Sequence, residues 1–188
     1  MTIKRPSVYV TGIKYWQAPI EKENGKSDYL NMSVRLPYSL SIVEVLSQKF
    51  KKEDSFTLHE LGCGWGTNLG IIHEHFPNAT LTGNDVWKDA IAYIKENRGY
   101  VDIVEEDSAD FLKNCIEQNK NFDVIITNAH LIHIETSRLS MLRDLHTVCK
   151  SAVIQENIEN VDSVVSMKLV EKKKTTLPDS NYRYFFEV

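Results

Sequence analysis

Three glycines at alternate positions, Gly62, Gly64 and Gly66, separate a run that reads as a strand from a run with helical spacing. Glycine allows such a turn because it accepts backbone conformations that a β-carbon forbids. Residues 55–61 read as the strand. Leu69, Ile72 and Phe76 then mark one helical face until Pro77-Asn78 breaks it. A strand that turns through glycines into a helix is the opening unit of an open parallel sheet, and the rest of the chain repeats the alternation. Residues 37–50 are expected as a helix with Pro37 in its first turn. Strands are expected at 80–84, 101–105, 122–127 and 152–155, with 122–127 buried on both faces. Helices are expected from about Trp87 to Arg98, stopped by Gly99, then over Phe111, Leu112, Cys115 and Ile116 behind a Ser108 cap, and across 137–148. Residues 164–171 and 182–188 alternate as two strands joined through Leu177-Pro178-Asp179. The fold class is therefore α/β, a doubly wound Rossmann-like sheet with an antiparallel edge hairpin.

Composition narrows the function classes. At 188 residues, the chain fits one domain. With 42% hydrophobic and 26% charged residues it sits near globular averages. A net charge of −4 is a poor match to a polyanion, so a nucleic-acid partner is disfavoured. Apolar runs stay below the roughly 18 residues a membrane helix needs, and no apolar core follows the charged start as in a secretory signal. Cys63, Cys115 and Cys149 are odd in number and far apart, which suggests neither a disulfide framework nor a metal knuckle and points to the reducing cytoplasm. Residues 1–36 lack a clear period but carry Tyr15, Trp16 and Tyr29. They are expected to form an N-terminal lid or extension ahead of a domain spanning 37–188.

The glycine turn differs from a dinucleotide fingerprint. Its third glycine comes one place early, and Thr67 occupies the position the fingerprint reserves for glycine. Glu60 precedes the first glycine by two residues, a placement unhelpful to a pyrophosphate and useful to a cation. Asp85 ends the second strand of the glycine unit, 23 residues beyond Gly62, where an acid accepts ribose hydroxyls. Capping of the following helix is its alternative role. Glu105-Glu106-Asp107-Ser108 and Thr127-Asn128-Ala129-His130 end the next two strands. All four loops fall at strand carboxyl ends, where open α/β sheets bind ligands.

On Glu60-Leu61-Gly62-Cys63-Gly64-Trp65-Gly66, Asp85, Asp107 and Phe122-Asp123-Val124-Ile125-Ile126-Thr127-Asn128, the chain resembles class I S-adenosylmethionine-dependent methyltransferases over residues 55–188. Leu131-Ile132-His133-Ile134 matches a Leu-x-His pattern found in many small-molecule members. More narrowly, Glu-Leu-Gly-Cys with Asn68-Leu69 and that Leu-x-His stretch is similar to methylases associated with pseudaminic acid biosynthesis. The match departs at Asn84-Asp85, where those methylases often carry a different acid.

The resemblance implies a seven-stranded methyltransferase sheet and S-adenosyl-L-methionine as cofactor. It assigns Glu60 and the backbone of Gly62, Cys63, Gly64 and Gly66 to the methionine moiety, and Asp85 to the ribose. Val86 or Trp87 would lie against the adenine face, and Asp107 and Ser108 at its edge, with a helix cap as their alternative. Asn128 would offer a carbonyl near the ammonium or sulfonium. Methyl transfer is an in-line displacement helped by alignment, and a hydroxyl nucleophile gains from a histidine base. His133 and His130 follow the fourth strand of the sheet and are the candidates for base or substrate anchor, the alternative being histidines packed under the next helix. Tyr15, Trp16 and Tyr29 either close over the site or pack at the sheet edge. Trp65 either shapes the acceptor pocket or covers the first helix. His73 and His75 read as surface histidines, and Lys172-Lys173-Lys174 as a solvated hairpin face. No metal ligand set is expected. The implied acceptor is a small molecule, in the narrower match a sugar or sugar nucleotide, with a partner chain in a homodimer as the other way to complete the pocket. A protein side chain as acceptor, a non-catalytic module on the same fold and a nicotinamide-dependent oxidoreductase are the competing readings.

Overall fold

The computed structural model describes residues 32–134, 138–177 and 180–188. Helix α1 (Met32–Lys49) leads into β1 (Thr57–Leu61), α2 (Thr67–His75), β2 (Thr80–Asp85), α3 (Lys88–Asn97), β3 (Val101–Glu105), α4 (Ser108–Glu117) and β4 (Phe122–Asn128). A 3-10 turn (Leu131–His133), α5 (Arg138–Asp144), β5 (Cys149–Glu156), β6 (Lys168–Leu177) and β7 (Ser180–Glu187) complete the chain. The described strands form one seven-stranded sheet in the order β3-β2-β1-β4-β5-β7-β6, with β7 antiparallel to β5 and to β6. The expected α/β sheet with an antiparallel edge hairpin is the fold observed.

Apolar residues bury on both faces. α1, α2 and α3 cover one side through Ile42, Leu46, Leu69, Ile72, Ile91 and Ile94. α4 and α5 cover the other through Phe111, Leu112, Met141 and Leu142. β7 shows the period of two that feeds both layers: Phe185 faces the first cluster, Tyr184 and Phe186 the second. β4, buried almost throughout, pairs with β1 and β5 at the centre.

Several expected boundaries move. α1 begins at Met32, and Pro37 lies inside it rather than in its first turn. The extra turn is held where Leu36 packs on the first core cluster. Asp107, not Ser108, caps α4, its carboxylate accepting from the Ala109 amide at 2.8 Å. α3 ends on Arg98, whose φ of −135° and ψ of 55° leave the helix, and Gly99 takes no left-handed stop. The 137–148 helix is shorter, giving way to a 3-10 turn at Leu145–Thr147. β6 starts at Lys168 rather than 164, because Val161 and Val165 bury in the second core cluster instead of extending along the sheet. The Pro178-Asp179 link lies outside the described residues.

Candidate active site

Strand order places the carboxyl ends of β3, β2, β1 and β4 side by side. The loops at 62–66, 86–87, 106–107 and 129–130 therefore share one edge of the sheet, which gathers Glu60, Gly62, Cys63, Gly64, Gly66, Asp85, Val86, Asp107, Ser108 and Asn128. Gly62 and Gly64 have φ of +64° and +50°. That left-handed geometry strains any residue bearing a β-carbon and turns β1 directly into α2.

Glu60 is buried at the end of β1. One carboxyl oxygen accepts from Asn68 Nδ2 at 2.6 Å, and the other has no hydrogen-bond partner. Burial, with the Asp85 charge adding to it, pushes its pKa up to about 8 against the Asn68 bond and the Arg98 charge. An unpaired buried carboxyl is costly unless a cation or donor meets it. Asp85 is held from two sides, Oδ2 accepting from Gly64 N at 2.8 Å and Oδ1 from Trp87 N at 2.9 Å. Desolvation raises its pKa while these amides oppose the shift. Asp107 Oδ1 caps α4, and its Oδ2 is buried without a partner. The Cys63 thiol is buried, and desolvation raises its pKa well above the usual range.

These features fit S-adenosylmethionine. The unpartnered Glu60 oxygen suits an ammonium, and the unpartnered Asp107 oxygen suits an exocyclic amine. A β-carbon placed on Gly64 would meet nothing within 4 Å, so the turn has open space above it.

Beneath the loops runs a polar chain that the sequence did not reveal. His59 Nε2 lies 3.0 Å from Asn84 Oδ1, and its Nδ1 lies 2.7 Å from the Thr82 hydroxyl. The Asn84 amide donates to Ser108 Oγ at 3.0 Å and to the Glu106 carbonyl at 2.9 Å. Because Asn84 spends its amide protons this way, its Oδ1 must accept from His59 Nε2. Ser108 Oγ, which accepts from Asn84, is also hydrogen-bonded to His130 Nε2 at 2.9 Å. Burial holds both rings neutral, each with its pKa pushed down to about 3. The chain ties β1, β2, α4 and the loop after β4 into one unit.

That last loop has a second anchor. Glu156, at the end of β5, receives Thr127 Oγ1 at 2.8 Å, His130 N at 2.9 Å and Leu131 N at 3.1 Å on one oxygen. Its other oxygen is buried without a partner, and burial pushes its pKa up to about 7. Ala129 takes a φ of +50°, a strained conformation that these bonds sustain. Glu156 sits in an apolar-looking strand, and only its place at a strand end beside the fourth loop marks it in the sequence.

The candidates divide accordingly. His130 is buried, and its ring lies against Gly62. His133 closes the 3-10 turn and is 8% exposed. Trp65 packs edge-on against Trp87 and Tyr93, with ring centroids 4.9 and 5.3 Å apart, beside α3 rather than over the first helix after the turn. His73 is half-buried and stacks on Tyr100 instead of lying free on the surface. Lys172 and Lys173 pair with Asp162 and Glu44. Tyr15, Trp16 and Tyr29 lie outside the described residues.

Comparison with known proteins agrees with this geometry. Residues 59–152 match the family model described as a methyltransferase domain. A malonyl-[acyl-carrier protein] O-methyltransferase of Bacillus anthracis is 25% identical over 161 residues, covering 72% of this chain and 57% of that protein. The chain thus spans a little over half the length of the curated relative it matches. A TehB-like S-adenosylmethionine-dependent methyltransferase of Corynebacterium glutamicum superposes with a TM-score of 0.60 at 16% identity, covering 84% of this chain and 96% of that one. Human methyltransferase-like protein 13, solved with S-adenosylhomocysteine, gives 0.61 at 11% identity, covering 80% and 81%. None of these relatives carries a sugar acceptor in its name, so the expectation of a sugar or sugar nucleotide has no support from them. Among the described residues no helix is long and apolar enough to cross a membrane. With its strand order, its glycine turn and its matched domain, the chain belongs to the class I S-adenosylmethionine-dependent methyltransferases.

Proposed function

We propose that the chain transfers a methyl group from S-adenosylmethionine to a small-molecule acceptor. The observation that carries the cofactor half is the Glu60 carboxyl oxygen, buried and unpartnered at the end of β1. Bound there, the cofactor supplies an electrophilic methyl on a sulfonium. Glu60 would hold the ammonium, Asp85, its own geometry fixed by the Gly64 and Trp87 amides, would hold the ribose hydroxyls, and Asp107 would accept from the adenine amine. Val86 and Trp87 would lie against the base, and Asn128 would offer its main-chain carbonyl to the cationic end.

Short loops support a small acceptor. Among the described residues, the connections at 62–66, 86–87 and 106–107 hold no inserted element on which a folded protein or nucleic acid would dock. The acidic balance weighs the same way.

Of the two histidines, we assign the acceptor to His133, as base or anchor. His130 takes a positioning role, since a ring with a pKa near 3 is a weak base at neutral pH and its Nε2 is already hydrogen-bonded to Ser108. The test is incubation with methyl-labelled S-adenosylmethionine and a fractionated cell extract. Label in the low-molecular-weight fraction is expected, with turnover reduced in His133→Ala at unchanged cofactor affinity. Label confined to protein would overturn the small-acceptor reading, and no transfer to any fraction would leave a cofactor-binding module.

A further inference from the structure

The Glu60 carboxylate is not oriented by the glycine turn alone. Its bonded oxygen accepts from Asn68 Nδ2, and Asn68 Oδ1 in turn accepts from Ser39 Oγ at 2.7 Å. Ser39 is fully buried on α1, and Asn68 stands in the first turn of α2. The neighbouring residue repeats the connection on the other side of the site: the Tyr38 carbonyl accepts from Gln155 Nε2 at 3.1 Å, and Gln155 also donates to Asn128 Oδ1 at 3.0 Å. One step of α1 therefore reaches both the β1 and β4 ends of the cofactor edge.

A side-chain amide has one acceptor end and one donor end. Ser39 donates to the oxygen of Asn68, which fixes the amide with its nitrogen toward Glu60. Without the hydroxyl the amide is free to turn and set its oxygen against the carboxyl oxygen. The other charged or titratable groups that bear on Glu60 are Asp85, Arg98 and Cys63, and none of them replaces this donor.

We propose that Ser39 and Asn68 are positioning residues that aim the Glu60 carboxylate at the cationic end of the cofactor, so that α1 contributes to cofactor affinity without touching the cofactor. The proposal rests on the reading of the site as an S-adenosylmethionine site. No feature of the glycine turn predicts it, because Ser39 lies 29 residues from Asn68 in the chain.

The experiment is a double-mutant cycle read by calorimetric titration with S-adenosylhomocysteine, which keeps the ammonium and requires no acceptor. Asn68→Leu should weaken binding about tenfold, as expected for a hydrogen bond to a charged group, and Ser39→Ala about threefold. In a Glu60→Gln background each should add less than about twofold, because residues that act through one another are not additive. Unchanged affinity in both single variants, or full losses repeated in the Glu60→Gln background, would overturn the proposal. Ser39→Ala removes only a hydroxyl, so its cycle decides the question if Asn68→Leu fails to fold. Failure of the wild-type chain to bind would overturn the reading of the site and this inference with it, whereas tight wild-type binding with additive losses overturns this inference alone.

Discussion

The imidazole of His130 occupies the space in which Gly62 lacks a side chain: a β-carbon at position 62 would stand 2.1 Å from His130 Nδ1. The glycine turn and the loop after β4 are thus interlocked, and the left-handed φ of Gly62 is only half of the reason for glycine there.

Gly62→Ala should accordingly cost at least about 3 kcal/mol in urea unfolding, combining overpacking with a disfavoured φ. Gly64→Ala meets no atoms and should cost only about 1–2 kcal/mol, yet it should weaken cofactor binding by filling the open space above the turn. Gly62→Ala combined with His130→Ala should recover part of the loss, and a purely additive result would refute the interlock.

Glu156 should separate into two effects. Glu156→Ala strands the Thr127 hydroxyl and two backbone amides in the interior, and unfolding should show a loss of about 3 kcal/mol or more. Glu156→Gln keeps an accepting oxygen and should cost under about 1.5 kcal/mol. A carboxylate needed for its charge would make the two variants alike.

Arg183 is fully buried on β7, donating to Glu171, to Glu44 and to both the carbonyl and hydroxyl of Ser41. It pins α1 to the sheet. Arg183→Met should lose about 1–3 kcal/mol, because the Ser41 carbonyl loses its donor while Glu44 and Glu171 keep their access to solvent. If α1 sets the aim of Glu60, this variant should also weaken S-adenosylhomocysteine binding where it remains folded. Unchanged affinity would place the helix outside the site's control.

Stability of the ligand-free chain should be greatest in weak acid. Glu60 and Glu156 rise from 4.5 to about 8 and about 7, so the folded state holds their protons and stability falls as pH climbs from 4.5 to those values. His59 and His130 fall from 6.5 to about 3, so stability is lost as pH drops from 6.5 toward 3. The two effects oppose each other between 4.5 and 6.5, giving a plateau in the melting temperature with decline on either side. A melting temperature that rises steadily from pH 6.5 to 8 would contradict this balance.

Much of this arrangement was legible in the sequence, and the reason is local. Glu60, the glycines, Asp85 and Asp107 are placed by strand ends, and strand ends follow from short-range alternation and turn residues. Two of the boundary differences arise where tertiary packing overrides local pattern: Leu36 extends α1 past Pro37, and Val161 and Val165 turn inward instead of extending β6. The His59–Asn84–Ser108–His130 chain and the Ser39–Asn68–Glu60 relay were invisible for another cause. Each joins residues far apart in the chain, and each member alone looks like an ordinary polar residue in a strand or helix. His130 illustrates the limit, since its place after β4 is legible in the sequence while its burial and its bond to Ser108 are not.

The central claim is that a buried, uncharged Glu60 becomes the counter-ion of a cationic cofactor. Calorimetric titration with S-adenosylmethionine at pH 7, repeated in two buffers of different ionisation enthalpy, tests it directly. The account predicts saturable one-site binding with release of about one proton, because Glu60 starts mostly protonated and must ionise while the ligand's ammonium stays charged. It also predicts loss of that proton release in Glu60→Gln. Binding without proton release, or tighter binding of NAD than of S-adenosylmethionine, would contradict it.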